Sequence, residues 1–252
     1  EIELRIKMNQ NKNESNKYTE IAQNFFLETV KNKYSYNFEY LSRPIIQYPQ
    51  DIIAFQEIVW KVKPDLIIET GIAHGGSLVL SASLLALLDY CDAIHSKSIL
   101  DPNETERLVI GIDIDIRKHN RDALDAHPLR KYMMLLEGSS LDKKIIKKVK
   151  NKAKNKKTVL ICLDSNHTHD HVIGELNEYS ELVTKGSYCI VFDTVIEDLP
   201  DNYSDDRPWG KGNNPKTAVR DFLKTNHNFE IDYEIEKKLL ITVAPDGYLK
   251  RK

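Results

Sequence analysis

Cysteine is scarce in this sequence, and neither sign of charge is in excess. The 252 residues include three cysteines far apart, Cys91, Cys162 and Cys189. Cys162 and Cys189 lie inside apolar, strand-like runs, so buried free thiols are expected rather than disulfides. The 36 basic residues nearly balance the 38 acidic ones, giving a net charge of −2. This balance argues against nucleic acid or an anionic membrane as the main partner.

Long apolar runs are also lacking. No run of about 18 consecutive apolar residues is present, so no membrane span is expected. The polar segment 1–17 lacks the apolar core of a signal peptide, and a cytoplasmic protein is therefore expected. The lysine-rich segment 143–157 could form a nucleic-acid patch, but Ile145, Ile146 and Val149 form an apolar stripe within it. That stripe favours a helix with a solvated outer face.

The apolar pattern predicts an α/β fold with helices on both faces of a parallel sheet. Strand-like runs alternate with helix-like segments, which is typical of a doubly wound sheet. The predicted strands are 65–69, 107–113, 132–136, 158–164 and 187–193. The predicted helices between and after them are 76–90, 118–126, 141–153, 170–183 and 215–225.

The two ends of the chain break this alternation. Segments 229–235 and 239–245 are separated by only three residues, too few for a crossover helix, so they should pair antiparallel. The resulting seven-stranded, Rossmann-like sheet, closed by an antiparallel hairpin, is typical of class I methyltransferases. Near the start, 19–31 and about 51–62 have helical spacing. We therefore divide the chain into a helical extension, 1–50, and a main domain, 51–252.

The most informative stretch is PDLIIETGIAHGGS, residues 64–77. An apolar strand ends at Glu69, three glycines form the turn, and Ser77 can begin a helix. A strand, a glycine turn and a helix N-terminus together form a cofactor cradle in open α/β sheets. A carboxylate before the first glycine suits an amino group or a sulfonium better than a pyrophosphate. The spacing also differs from the dinucleotide fingerprint, although a purely structural turn stays possible.

Three further strand ends carry polar residues suited to a cofactor. Asp113, in GIDIDIR, lies where a carboxylate would accept hydrogen bonds from a ribose; it or Asp115 could instead cap a helix. Ser139, in EGSS, offers a hydroxyl near an adenine or simply forms a turn. The candidate cofactor-binding residues are Glu69, Gly71, Ala73, Gly75, Ser77, Asp113, Asp115, Ser139 and Asp164.

The segment LDSNHTHDH, residues 163–171, has the densest chemistry. Asp164 ends a buried strand and needs a cation or backbone donors, and His167 follows three residues later as a candidate general base. Asp193 ends the next strand, and paired carboxylates on neighbouring strand ends suit Mg²⁺. His167, His169 and His171 could alternatively hold zinc, or be ordinary surface or capping residues.

A long loop, 195–216, follows the last parallel strand and could cover the site. Trp209 in this loop could form an aromatic wall for a sugar ring, or anchor the loop to the core. We assign Trp209 and His169 as candidate substrate residues.

Over residues 43–225, the sequence resembles the cephalosporin hydroxylase/rhamnosyl O-methyltransferase family. The resemblance rests on RPIIQYPQD, KPDLIIETGIAHGGS, GIDIDIR, EGSS, LDSNHTHDH and RPWGKGNNPKTAV. It implies an S-adenosylmethionine-dependent O-methyltransferase, with Glu69, Gly71 and Asp113 on the cofactor. It also implies Mg²⁺ held by Asp164 and Asp193, and His167 as the base.

One departure from the family pattern concerns the metal. The residue before the aspartate of the fifth strand is usually glutamate, whereas this chain has Phe192. Either water or a side chain of the following loop, with Asp198, Asp205 and Asp206 as candidates, replaces the missing ligand, or the metal binds weakly. The expected acceptor is a hydroxyl of a sugar, glycan or secondary metabolite, and a homo-oligomer is expected. The alternatives are a non-catalytic cofactor-binding partner protein and an NAD-dependent dehydrogenase.

Overall fold

A computed structural model of the protein describes residues 12–101, 103–200, 203 and 206–252, with side chains from residue 17 onward. Segment 1–11, part of the predicted polar N-terminus, lies outside the described residues. The α-helices in the described part are α1 (Lys12–Lys31), α2 (Pro49–Val62), α3 (Gly76–Ser96), α4 (Lys118–Asp125), α5 (Lys143–Ala153), α6 (His169–Tyr179), α7 (Pro215–Thr225) and α8 (Tyr233–Leu239). The strands are β1 (Phe38–Tyr40), β2 (Arg43–Ile45), β3 (Leu66–Thr70), β4 (Leu108–Asp113), β5 (Met133–Glu137), β6 (Val159–Leu163), β7 (Tyr188–Val191), β8 (Phe229–Ile231) and β9 (Tyr248–Arg251).

Seven strands form one sheet in the order β5-β4-β3-β6-β7-β9-β8. Strands β3 to β7 run parallel, whereas β9 pairs antiparallel with both β7 and β8. The chain moves outward from β3 to β5 and then crosses to β6 on the other side of β3. Ligand sites form at the carboxyl ends of strands beside such a switch point. The predicted doubly wound seven-stranded fold is confirmed.

The core consists of two apolar layers, one on each face of the sheet. Ile67 of β3 faces the layer that includes α2 and α3, whereas Leu66 and Ile68 face the layer that includes α5, α6 and α7. Because side chains alternate along a strand, Glu69 shares the face of Ile67 and points toward α3. This alternation places a carboxylate beneath the turn that follows β3.

By length and composition alone, helix α3 could cross a membrane, because its most apolar 18-residue stretch has a mean hydropathy of 1.6. Leu78, Val79, Leu85 and Leu88 on this helix are buried in the core beside β3 and β4. A helix that packs along a central sheet needs this composition, so the match has a structural cause. The expected absence of a membrane span stays a prediction.

The predicted position of the last strand is wrong. Segment 239–245 forms no strand, the partner of β8 is Tyr248–Arg251, and Tyr233–Leu239 is a helix. A buried carboxylate explains the irregular segment, because Asp51 accepts hydrogen bonds from the backbone N–H of Val243 (3.0 Å) and from Tyr248 (2.7 Å). These tertiary contacts override the strand propensity of the apolar run.

The N-terminal extension contains a hairpin that the sequence pattern did not predict. Strands β1 and β2 pair antiparallel through Leu41 and Ser42, which have φ values of 44° and 67°. Tight hairpin turns of this kind usually contain glycine or asparagine, so the usual sequence signal is missing. The predicted helix 19–31 is confirmed but begins earlier, at Lys12. The proposed boundary between extension and main domain stays a prediction.

Candidate active site

Glu69 ties the end of β3 to the start of α3. Its carboxylate is buried and accepts hydrogen bonds from the hydroxyls of Ser77 and Ser81, the latter at 3.1 Å. Burial raises the pKa of the Glu69 carboxyl to about 7, while the two serine hydrogen bonds act in the opposite direction. The carboxylate therefore supports the turn and also lines a cavity beside it. Its contact with a cofactor stays a prediction.

Gly71 is required by a close approach between two strand ends. Its φ is +88°, and a Cβ at this position would lie 2.1 Å from the carbonyl oxygen of Asp164. Any side chain would push the β3 and β6 ends apart, in addition to the strain of the backbone angle. Gly71 thus lets the cradle turn lie directly against the strand end that carries Asp164.

Asp113 organises the same turn from β4. One carboxylate oxygen accepts hydrogen bonds from the backbone N–H groups of Ile72 (2.8 Å) and Ala73 (3.0 Å), and the other accepts one from the N–H of Asp115 (3.1 Å). Ala73 itself has a positive φ of 46°. The Asp115 side chain is exposed. The structure therefore places Asp113 in the cradle wall, and ribose binding by either carboxylate stays a prediction.

A polar cluster lies below the predicted adenine end of the cradle. The Oγ atoms of Ser140 and Ser165 each lie 3.1 Å from Nε2 of His171, and Ser165 donates to Glu175 at 2.7 Å. Glu175 is fully buried. Sequence reasoning missed this carboxylate, although its spacing of four residues from His171 on a helix was a signal. Ser139 lies next to the cluster and accepts a hydrogen bond from the N–H of Leu141.

Asp164, His167 and Asp193 form one compact group at the switch point. Each offers a ligand atom, and these atoms all lie within 4.8 Å of one another. Nε2 of His167 lies 3.2 Å from Oδ2 of Asp193. Burial raises the pKa of Asp164 well above its usual range, and the nearby charges of Asp193 and Glu69 raise it further. Facing carboxylates of this kind are stabilised by a cation between them.

The residue that departs from the family pattern, Phe192, offers no ligand atom for a metal. Phe192 is buried in the core and lines the same cavity as Cys162. Of the three candidate replacements, Asp198 is paired with Lys216 at 2.6 Å, Asp206 is exposed, and Asp205 lies outside the described residues. Two carboxylates with waters still make an oxygen-rich site that fits Mg²⁺.

The three histidines of 163–171 point to different partners. His169 contacts Thr217 on α7 at 2.9 Å, and His171 belongs to the polar cluster with Glu175. Within the described residues, His167 is the histidine of the three that joins a possible metal-ligand group. The geometry therefore gives no support to a three-histidine zinc site. His169 lies against α7, and its substrate role stays a prediction.

Trp209 contacts the candidate base. Its ring packs edge-on against His167, with centroids 4.7 Å apart, and the Arg207 guanidinium lies 5.4 Å from the Trp209 ring centroid. The backbone around it is held by Glu197, which accepts a hydrogen bond from the N–H of Gly212 at 2.8 Å. The loop thus brings an aromatic face to the mouth of the site.

Two cavities adjoin the end of β3: the first lies among β3, α2 and α3, and the second lies between the cradle turn and the segment that precedes α2. They share the lining residues Gln47, Ser77 and Asp164. Gln47 donates from Nε2 to Oδ2 of Asp164 at 3.2 Å. Sequence analysis assigned no role to Gln47, because only the fold brings it to a residue 117 positions away.

Comparison with known proteins assigns the chain to a family of enzymes. The family model described as "Rhamnosyl O-methyltransferase/CmcI" matches residues 32–252. The chain belongs to this family, which confirms the expected S-adenosylmethionine-dependent O-methyltransferase and disfavours the dehydrogenase and the non-catalytic partner protein.

The relatives are named more specifically. A rhamnosyl O-methyltransferase from Mycobacterium bovis is 30% identical over 206 residues, which cover 80% of this chain and 73% of the relative. Structures of CmcI with Mg and SAM and of CalS11, a TDP-rhamnose 3'-O-methyltransferase of calicheamicin biosynthesis, each have a TM-score of 0.51 at 15% identity. The aligned parts cover 86% of this chain and 77% of CmcI, and 94% of this chain and of CalS11. These two structures support the fold alone.

Proposed function

We propose that this enzyme transfers the methyl group of S-adenosylmethionine to a hydroxyl of a sugar, with Mg²⁺ held at Asp164 and Asp193. The observation that carries the proposal is the meeting of Asp164, His167 and Asp193 beside the cleft under the glycine turn. The family and the rhamnose-specific names of the relatives support a deoxysugar acceptor. An S-adenosylmethionine cradle fits the local chemistry, because the cavities are lined by Glu69, Asp164 and serine oxygens.

Two bound groups would supply the chemistry. S-adenosylmethionine would supply a methyl group on a sulfonium, and Mg²⁺ would supply positive charge that lowers the pKa of a coordinated hydroxyl. The chain's residues align and deprotonate the acceptor. When Nε2 of His167 carries the proton and donates a hydrogen bond to Asp193, Nδ1 is unprotonated and can accept the hydroxyl proton. Asp193 then stabilises the imidazolium. The acceptor oxygen forms its bond to the methyl carbon as the carbon–sulfur bond breaks, so alignment supplies much of the rate.

Trp209 is placed to receive the acceptor. Its ring stands against His167, so a sugar ring packed on the indole would present a hydroxyl to the imidazole. Apolar faces of sugars pack well on aromatic rings, whereas hydroxyls at the ring edge stay available for hydrogen bonds.

A methyl-transfer assay tests the acceptor class. Purified enzyme with radiolabelled S-adenosylmethionine should label a rhamnose-containing acceptor, free, nucleotide-linked or glycosidic, above glucose, catechol and glycerol controls. The measurement is labelled product resolved by mass, with reactions lacking S-adenosylmethionine as the blank. Transfer to catechol alone, with every sugar inactive, would contradict a sugar acceptor.

We also propose that the enzyme works as a homo-oligomer. Three apolar side chains of helix α1, Tyr18, Ile21 and Phe25, are each about half exposed. Their spacings of three and four residues place them on one face of the helix. Light scattering after size exclusion should give a multiple of 29.1 kDa, and Ile21→Ser with Phe25→Ser should lower the mass. Ile99→Ser, on a loop residue that is 96% exposed, is the matched control. A monomeric wild-type chain would contradict this proposal.

Cytoplasmic location and the absence of nucleic-acid binding stay predictions.

A further inference from the structure

Gln47 has a buried amide oxygen with no partner. The residue lies between β2 and α2 and is 7% exposed. Its Nε2 donates to Oδ2 of Asp164, but Oε1 has no hydrogen-bond partner among the described residues. Because Nε2 is the amide atom within hydrogen-bond distance of Asp164, Oε1 is the one left without a partner. A buried acceptor without a donor is unfavourable, so a ligand donor at Oε1 would stabilise the site.

The surroundings of Gln47 select the chemistry of that donor. It lines both cavities, and the side chains that share the first one include the carboxyl groups of Asp51, Glu69 and Asp164. Neither cavity is lined by a lysine or an arginine. An acceptor oxygen among carboxyl groups favours a cationic N–H donor, because a charged donor makes a stronger hydrogen bond than a neutral one. A primary ammonium group meets these requirements.

The position of Gln47 identifies which ammonium group is in reach. The second cavity is bounded by Gln47 on one side and by the turn Gly71–Ser77 on the other, where the cofactor is proposed to bind. The methionyl part of S-adenosylmethionine carries one primary ammonium, next to the sulfonium end. A ligand with its sulfur near Asp164 would direct this ammonium into the same cavity.

We infer that Gln47 is a cofactor-binding and positioning residue, whose Oε1 accepts a hydrogen bond from the α-ammonium of S-adenosylmethionine while its Nε2 orients the Asp164 carboxylate. The inference rests on the proposed cofactor and extends it. One side chain then links occupation of the methionyl site to the orientation of a metal ligand. Cofactor and metal binding should therefore favour each other.

Three ligands separate this role from a structural one. S-Adenosylhomocysteine carries the ammonium and carboxylate, 5'-S-(3-aminopropyl)-5'-thioadenosine carries the amine alone, and 5'-methylthioadenosine lacks both. Methionine has a volume similar to that of glutamine but lacks the amide donor and acceptor. In calorimetric titrations, Gln47→Met should weaken binding of the two amine-containing ligands about tenfold or more. Its affinity for 5'-methylthioadenosine should stay within about twofold of wild type.

Two further variants complete the test. Gln47→Glu keeps an acceptor and should retain amine-ligand affinity better than Gln47→Met, although it lacks the donor to Asp164. Gln50→Met is the matched control, because Gln50 also has a buried amide oxygen without a partner but lines neither cavity. It should leave all three affinities unchanged.

The possible results separate the two proposals. Equal losses for all three ligands in Gln47→Met, or no loss for any, would overturn the role of Gln47 alone. A wild-type enzyme that binds none of the three would overturn the proposed cofactor site, and the role of Gln47 with it. Should Gln47→Met fail to fold, Gln47→Glu decides. Its affinity for the amine-only ligand, relative to that for 5'-methylthioadenosine, should equal or exceed the wild-type ratio, and a fall of about tenfold in this ratio would overturn the role of Gln47.

Discussion

His167→Ala is expected to lower kcat by about 10²–10⁴-fold, the usual contribution of a general base. The imidazole lies 3.2 Å from Asp193 and against the Trp209 ring, where a sugar hydroxyl would need to lose its proton. The affinity for S-adenosylhomocysteine should stay within about threefold, because His167 does not line either cavity beside the cradle turn. Single-turnover kinetics with a rhamnose acceptor, together with calorimetry of S-adenosylhomocysteine, measures both quantities.

The control for this change is His119→Gln, at an exposed histidine on α4. It should leave kcat and cofactor affinity unchanged. Loss of S-adenosylhomocysteine binding in His167→Ala, in parallel with kcat, would show that the imidazole supports the fold of the site rather than accepting a proton.

Removal of the metal is expected to lower kcat at least about a hundredfold. A cation between Asp164 and Asp193 would relieve their repulsion and lower the pKa of the acceptor hydroxyl, and Lewis-acid stabilisation is worth several kcal/mol. EDTA should therefore abolish turnover, and added Mg²⁺ should restore it. Asp164→Asn and Asp193→Asn should each weaken Mg²⁺ binding, measured by calorimetry without an acceptor.

Asp122→Asn, at a surface carboxylate paired with Lys118, is the control and should bind Mg²⁺ as the wild type does. Because Phe192 replaces the usual second carboxylate, weaker Mg²⁺ binding than in a three-carboxylate site is expected. Full activity in EDTA, with no Mg²⁺ binding to the wild-type chain, would exclude the metal role and leave His167 as the sole activating group.

Local sequence signals were sufficient to predict the parallel strands of the sheet. Buried parallel strands have short, continuous apolar runs, and β3 and β6 were found for this reason. Their polar ends, Asp113, Asp164 and Asp193, could be assigned to one edge because parallel strands share a direction. Sequence position therefore predicted the neighbourhood of Asp164, His167 and Asp193 before any distance was known.

The same reasoning failed where tertiary contacts outweigh local preference. Segment 239–245 has the composition of a strand, yet Asp51 captures its backbone and the ladder forms at Tyr248–Arg251 instead. Hairpin β1–β2 turns through two residues that rarely adopt positive φ, and packing against α3 compensates for that strain. Neither outcome is encoded within a window of ten residues.

The sequence by itself determined the fold class, the cradle turn and the residue types at each strand end, because apolar periodicity and glycine spacing act locally. Only the tertiary structure decided which of those residues work together. It separated the three histidines, and it placed Gln47 and Trp209 against partners far along the chain. The physical reason is that a hydrogen bond or ring contact depends on distances of 3–5 Å, which follow from the packing of whole elements.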